Sequence, residues 1–238
     1  MFYIKIADII IAIDNKYEYV KMLCRDYIVP PVDQPHMTVS VSAEEISNEI
    51  KIAENPVSAA YAEGVCVYRH ICSPLPEKFG AYLMHCAVIE YKGEGYAFAA
   101  ASGTGKSTHI SLWQKRYGDE VRIINGDKPI MRFIGDRLYA YGTPWCGKEG
   151  WNRNVRAPLK GLCFLERATE NRIDKLPLDE AATRIMKQIL IPKDAMGAIN
   201  TFELVDKMLN TVECWLLGCN ISQEAAEIAY NAMSGGQK

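Results

Sequence analysis

The chain has 238 residues, of which 49% are hydrophobic and 24% are charged, and its formal net charge at pH 7 is -2. This length allows one large domain or a domain with a small companion, and the near-neutral charge balance excludes an electrostatic basis for binding nucleic acid or an anionic membrane. The eight cysteines form no C-x-x-C pair and lie mostly in apolar runs. They predict reduced core thiols in a cytoplasmic protein without a signal peptide.

Residues 1–75 differ in character from the rest of the chain and predict a small N-terminal α+β region. The predicted elements, in chain order, are β-structure from 2 to 13, a helix from 17 to 27, a strand from 36 to 41 and a helix from 42 to 55. Ser42 and Glu45 have the spacing of a capping box at the start of the second helix. The region has no readable motif, and we interpret it as a substrate- or partner-recognition region. The alternative is an additional flank of a single domain.

Residues 76–238 alternate between strand and helix patterns, which predicts an α/β domain. One predicted hairpin pairs residues 84–91 with 95–100, and a second pairs 129–134 with 137–142 across Gly135-Asp136. Apolar residues at helical spacing predict core-covering helices over 176–190 and 202–209.

The segment Ala100 to Thr108 fits the pattern of a phosphate-binding loop between a strand (96–100) and a helix (107–117), with Ala100 where glycine is usual. Its two glycines allow a tight turn that brings backbone N–H donors toward phosphate oxygens. Lys106 is expected to reach the outer phosphates, and the Ser107 hydroxyl to ligate Mg²⁺. The predicted nucleotide-binding residues are Ser102, Gly103, Thr104, Gly105, Lys106, Ser107 and Thr108.

The two hairpins bring two further polar residues toward this loop. If residues 91 and 96 lie opposite one another, His85 falls beside Ser102, and a register slip of one or two residues still brings this histidine next to the loop. Asp127 follows the apolar strand 121–124, and the second hairpin places it near Pro144. An acid in this position is a usual ligand of nucleotide-bound Mg²⁺, although Asn-Gly-Asp is also ordinary turn chemistry. His109 is either a site residue or a helix-surface residue.

Four segments in this order resemble the HPr kinase/phosphorylase family, which shares a nucleotide-binding core with phosphoenolpyruvate carboxykinases. The resemblance covers about residues 80 to 235. The segments are His85-Cys86-Ala87, Ser102 to His109, Asn125-Gly126-Asp127-Lys128-Pro129 and Gly142-Thr143-Pro144-Trp145.

The resemblance implies a carboxykinase/HPr kinase-like P-loop core, in which a mixed sheet is flanked by helices. It also implies an ATP- and Mg²⁺-dependent kinase acting on a hydroxyl of a protein, a peptide or a small metabolite. Its catalytic residues would be His85, Asp127 and Lys106, with Ser107 and Asp127 as metal ligands. Cations for the acceptor or the transferred phosphate would come from Lys148, Arg153 and Arg156. Relatives in the family include hexamers, so a homo-oligomer is one expectation.

One position departs from the family pattern. The family carries two adjacent acids where this chain has Gly126 and Asp127. One carboxylate cannot readily bind Mg²⁺ and accept a proton together, because metal coordination lowers its basicity. Either His85 is the base of an active enzyme, or the protein is a catalytically reduced nucleotide-binding sensor or partner-binding module.

Overall fold

The computed structural model describes residues 1–235. The first part of the chain forms a four-stranded sheet of order β3-β1-β2-β4, covered by helices. Its elements are β1 (Phe2–Ile6), β2 (Ile9–Asp14), α1 (Glu18–Leu23), a short 3-10 turn (Arg25–Tyr27), β3 (Ile28–Val29), β4 (Met37–Ser40), α2 (Ala43–Ile52), α3 (Ala59–Cys72) and α4 (Leu75–Phe79). The predicted capping box is confirmed, since Ser42 and Glu45 hydrogen-bond reciprocally at the start of α2. None of the helices within residues 1–235 is long and apolar enough to span a membrane.

The rest of the chain forms a larger mixed sheet and four more helices. Its elements are β5 (Ala81–Leu83), β6 (Ala87–Tyr91), β7 (Glu94–Ala99), α5 (Lys106–Tyr117), a 3-10 turn (Gly118–Glu120), β8 (Val121–Asn125), β9 (Ile130–Ile134), β10 (Arg137–Tyr141), β11 (Arg156–Arg167), β12 (Arg172–Lys175), α6 (Leu178–Met186), α7 (Ala195–Thr211), β13 (Glu213–Cys219) and α8 (Gln223–Met233). Strands β5-β9-β10-β11-β7-β6-β8 are neighbours in that order, and β13 joins β11 to β12. The predicted second hairpin is confirmed, because Ile134 pairs with Arg137.

Three parallel strands, β7, β11 and β13, lie side by side in this sheet. Side chains alternate between the faces along β7, so that Ala97 and Ala99 pack with α6 and α7, whereas Tyr96 and Phe98 pack with α5 and α8. Helices therefore cover both faces, and the predicted α/β class with a mixed sheet is confirmed. The carboxyl ends of the three strands meet at one edge, which is where open α/β sheets usually bind ligands.

The two parts of the chain pack directly against each other. The core of the first part extends onto Leu83, Ile130 and Tyr141 of the larger sheet. At the boundary, the Asp8 carboxylate accepts hydrogen bonds from the Tyr141 hydroxyl at 2.7 Å and from the Arg156 guanidinium at 2.8 Å. The proposed division into domains 1–75 and 76–238 stays a prediction.

The register of the first hairpin differs from the prediction by two residues. Tyr91 pairs with Glu94 rather than lying opposite residue 96. The turn contains only Lys92 and Gly93, whose φ angles are +53° and +80°. Positive φ at both central residues is the geometry of a two-residue hairpin turn, whereas the prediction assumed a longer connection.

Candidate functional site

The glycine loop, defined here as residues 100–107, lies between the end of β7 and the start of α5. Gly103 and Gly105 adopt φ angles of +77° and +125°, which side-chain-bearing residues rarely reach. Helix α5 begins at Lys106 with no side-chain cap on its N-terminus. Since the first-turn N–H groups of a helix have no acceptor within it, this end is suited to binding an anion.

Arg167, at the end of β11, holds the outer side of the glycine loop. Its guanidinium donates hydrogen bonds to the Gly103 carbonyl at 2.6 Å and to the Thr104 carbonyl at 3.3 Å. The arginine contributes a positive charge close to the loop and fixes the direction of two of its peptide groups. The sequence analysis did not identify this residue, because only the parallel pairing of β7 with β11 brings it here.

Lys106 and His85 meet at the inner side of the glycine loop. Lys106 Nζ lies 3.1 Å from His85 Nε2 and donates a hydrogen bond to the Ala100 carbonyl at 3.2 Å. Burial lowers the pKa of Lys106, and the negative charge of Asp127 opposes this effect. His85 lies between β5 and β6 and not within a strand, in contrast to the predicted strand 84–91. The backbone N–H of His85 donates a hydrogen bond to the Gln188 carbonyl at 2.6 Å.

Asp127 completes a continuous chain of polar groups. Its Oδ1 lies 3.0 Å from His85 Nε2, and its Oδ2 lies 3.6 Å from Lys128 Nζ. Burial by itself would raise the pKa of Asp127, but the hydrogen bond and charge of His85, with Lys128 and Lys106, outweigh it, so the pKa is lowered. Asp127 is therefore a carboxylate at neutral pH. His85 Nε2 carries at most one proton, so it either donates to Asp127 or accepts from Lys106.

One buried side-chain amide group, that of Asn125, fixes the loop that carries Asp127. Asn125 Oδ1 accepts hydrogen bonds from the N–H groups of Asp127 at 2.9 Å and Lys128 at 2.7 Å. Its Nδ2 donates to the Thr143 carbonyl at 3.0 Å and to the Thr143 hydroxyl oxygen at 3.2 Å. Asn125 and Thr143 are both fully buried. Asp127 therefore belongs to an Asn-Gly-Asp turn and also lies beside His85, so the two interpretations of this residue are compatible.

Gly126 lies where the second acid of the family pattern would stand, and it is crowded by backbone. A Cβ at this position would lie 3.0 Å from the Cys146 carbonyl oxygen and 3.3 Å from the Trp151 Cβ. The Gly126 N–H donates to the Trp151 carbonyl at 2.8 Å. The segment 146–151 therefore packs against the side of Gly126 from which a side chain would extend.

The three cations, any of which could bind an acceptor or the transferred phosphate, have different surroundings. Arg156 pairs with Asp8 and Tyr141 at the boundary with the first sheet, away from the glycine loop. Lys148 and Arg153 are exposed. Lys148 directly follows Gly147, and a Cβ added at Gly147 would lie only 3.2 Å from the Asp127 Cβ. The backbone just before Lys148 therefore passes close to Asp127.

His109 is not a helix-surface residue, which corrects that interpretation, and its role as a site residue stays a prediction because it borders a cleft beside the glycine loop. Its side chain is buried against Phe98, and its Nε2 accepts a hydrogen bond from Trp113 Nε1 at 3.0 Å. Burial lowers the pKa of His109 to about 3. The imidazole is a neutral packing residue of α5.

Two clefts flank the glycine loop. The larger, of about 890 Å³, lies between residues 99–104, the end of β11 and one side of α6 with Lys187 and Gln188. The smaller, of about 510 Å³, is lined by residues 103–105, by Thr108, His109 and Leu112 of α5, and by the ends of β11 and β13 with the residues that follow them. Within residues 1–235 there is no group of three or more His, Cys, Asp or Glu that could hold a metal.

Comparison with known proteins places this α/β chain and its site in a described family. The model of the family "SynChlorMet cassette protein ScmC" matches residues 65–222, which is more than half of the sequence. The chain belongs to this family. The matching model is thus not that of the HPr kinase/phosphorylase family itself.

A search of curated proteins finds no match. Among solved structures, the chain is similar to the Hpr(Ser) kinase/phosphatase from Coxiella burnetii, with 9% sequence identity and a TM-score of 0.36. That match covers 64% of this chain and 95% of the other. This similarity is too low to assign a fold or an activity.

Proposed function

We propose that this protein is a kinase that transfers the terminal phosphate of ATP, with Mg²⁺, to a hydroxyl acceptor, and that its larger sheet is an HPr kinase-like P-loop core. The observation that carries the proposal is the polar chain from Lys106 Nζ through His85 Nε2 to Asp127 Oδ1, with spacings of 3.1 and 3.0 Å, beside the glycine loop. A nucleotide-binding loop with a histidine and a carboxylate at its inner side has the parts that phosphoryl transfer needs.

The residues of the site fit a nucleotide and its metal ion. The uncapped start of α5, the positive-φ glycines and Lys106 would hold the phosphates. The Ser107 hydroxyl and the Asp127 carboxylate supply hard oxygen ligands of the type that Mg²⁺ prefers, and phosphate oxygens and water would complete its shell. When bound, Mg²⁺ neutralises phosphate charge and so supports attack on the terminal phosphorus.

The clefts suggest how the nucleotide is oriented. Thr108, in the first turn of α5, lines the smaller cleft together with Asn220 and Ile221. His85 and Asp127 lie at the inner side of the glycine loop, next to Lys106. We place the nucleoside in the smaller cleft and the terminal phosphate at His85, so that phosphates follow the loop from one to the other.

The charge states assign separate roles to His85 and Asp127. Because the pKa of Asp127 is lowered, this carboxylate is a weak base at neutral pH. His85 Nε2, unprotonated beforehand, would take the proton as the acceptor oxygen bonds to phosphorus and the bond from phosphorus to the leaving diphosphate oxygen breaks. The new Nε2–H would then donate to Asp127 Oδ1 across the 3.0 Å contact, so that the carboxylate stabilises the protonated imidazole.

The alternative is a nucleotide-binding sensor or partner-binding module with reduced catalysis. Gly126 favours it, because the segment 146–151 packs where a second acid would extend. In this case the site would bind ATP but turn it over slowly.

Purified protein incubated with labelled ATP and a cell extract tests the proposal. Wild type should label a product, and Lys106→Ala should not, whereas Lys115→Ala, an exposed lysine further along α5, should behave as wild type. ATP binding without any labelled product would favour the sensor. Restoring the acid by Gly126→Asp separates the two functions further, provided that circular dichroism shows an unchanged fold. A large gain in turnover indicates reduced native catalysis.

A further inference from the structure

A small aromatic pocket, lined in part by Lys128, lies next to the residue that follows Asp127. It has a volume of about 230 Å³ and lies between α1, α3 and the loops that follow β8 and β10. Its principal lining residues are Tyr19, Tyr61, Gly64, Tyr68, Lys128 and Trp145. Most of this lining comes from residues 1–75, the region that the sequence analysis interprets as a substrate- or partner-recognition region without naming its ligand.

The aromatic pocket is continuous with the polar chain of the site through one residue. Lys128 Nζ lies 3.6 Å from Asp127 Oδ2 and 5.5 Å from the centre of the Tyr68 ring. The other oxygen of Asp127 faces His85. Lys128 therefore borders both the pocket and Asp127, so a ligand in the pocket could extend past Lys128 to Asp127 and His85.

The walls of the pocket are suited to an apolar side chain. The rings of Tyr68 and Trp145 meet edge to face, with centroids 4.9 Å apart and an interplanar angle of 70°. Gly64 leaves room for Tyr19, because a Cβ there would lie 3.0 Å from Tyr19 Cε1. Aromatic walls of this kind bury a flat or branched apolar group well, and the volume is below the range typical of complete small-molecule sites.

We propose that the acceptor is a peptide that inserts one aromatic or branched aliphatic side chain into the aromatic pocket and presents the hydroxyl of a nearby residue to His85 and Asp127. This inference rests on the proposed kinase function. A peptide suits the site because it carries the apolar group and the hydroxyl on separate residues, whereas a compact sugar alcohol has no apolar part to fill the pocket.

A positional peptide library tests the inference. Each peptide has a central serine, one fixed neighbouring position and degenerate positions elsewhere, and labelling with ATP is measured for every fixed residue. We expect Phe, Trp or Leu at one position to give at least about tenfold more label than Ala. Tyr61→Ala, which removes a wall residue that is 49% exposed, should reduce this preference about fivefold, since an aromatic contact contributes roughly 1 kcal/mol.

Tyr17→Ala is the matched control, because Tyr17 is 40% exposed and is not among the lining residues. It should keep the wild-type preference. Equal labelling at all fixed residues, or labelling of small metabolites alone, would overturn the proposal.

A direct titration separates a failure of the pocket from a failure of the kinase proposal. The probe is N-acetylphenylalanine amide, with N-acetylalanine amide for comparison, followed by fluorine NMR of fluorotryptophan-labelled protein at Trp145. Saturable binding of the first probe, weakened in Tyr61→Ala, supports the pocket even if no peptide is phosphorylated. No shift at millimolar probe refutes the pocket even if other acceptors are phosphorylated.

Discussion

The replacement Asn125→Ala tests the architecture of the site without requiring knowledge of the acceptor. Asn125 is fully buried and its amide group makes four hydrogen bonds, two to the N–H groups of the Asp127 loop and two to Thr143. Alanine has no side-chain amide, so all four hydrogen bonds are lost at once. We expect both a loss of stability and a displacement of Asp127.

The magnitude follows from the groups that lose their partners. Two backbone N–H groups, those of the partly buried residues Asp127 and Lys128, would lose their acceptor, and an unsatisfied buried group costs about 1–3 kcal/mol. The cavity left by the amide adds to this. Some relaxation toward water would reduce it, so we expect the free energy of unfolding to fall by about 3–5 kcal/mol.

Urea unfolding at neutral pH, followed by circular dichroism, measures the stability change. Asn210→Ala is the control, because Asn210 is exposed and its amide donates only to the Asp206 carbonyl within α7. It should change the free energy of unfolding by less than about 1 kcal/mol. If Asn125→Ala also changes it by less than about 1 kcal/mol, the hydrogen-bond network does not hold the Asp127 loop as described.

Three further replacements probe the surroundings of the site. His109 should make stability fall as pH falls, because its pKa is about 3 in the folded protein and about 6.5 in the unfolded chain. Between pH 7.5 and 5, the free energy of unfolding should therefore drop by about 2 kcal/mol more in wild type than in His109→Gln. Equal pH dependence in the two proteins would contradict this. Gly142→Ala should destabilise by about 3 kcal/mol or more in urea unfolding, because its Cβ would lie 1.8 Å from the Arg153 carbonyl oxygen; unchanged stability would contradict the close approach. Arg167→Ala should weaken ATP binding about tenfold in calorimetry, since a charge and two contacts to the glycine loop are lost, and an unchanged affinity would show that the loop is held without it.

The local parts of this structure were predictable because short-range chemistry fixes them. Hairpin turns, the capping box at Ser42 and the strand-loop-helix around the glycine loop are each encoded within about ten residues. The register of the first hairpin is shifted by two residues from the assumed pairing, within the slip that the prediction allowed, because two adjacent positive-φ residues, Lys92 and Gly93, form a shorter turn than expected. Lysine is not a usual signal for that geometry.

Long-range pairing determined what the sequence did not reveal. Arg167 reaches the glycine loop only because β11 pairs with β7, and the short strand β12 is defined only by its pairing with β13. The burial of His109 is different, because the sequence near it contains a pattern that indicates core packing. Trp113 stands four residues later, on the same face of the helix, and a histidine on that apolar face is more consistent with core packing than with exposure.

The geometry around Gly126 bears on why one acid is sufficient for the proposed reaction. A second carboxylate there would have to share space with the Cys146 carbonyl and Trp151. The remaining acid, Asp127, contacts His85 with one oxygen and lies near Lys128 with the other, and its pKa is lowered. A carboxylate in this state binds cations well and protons poorly. In the proposed reaction, proton transfer therefore depends on His85, so that His85→Ala should abolish the labelling of product by ATP while leaving nucleotide binding at the glycine loop, measured by calorimetry, intact.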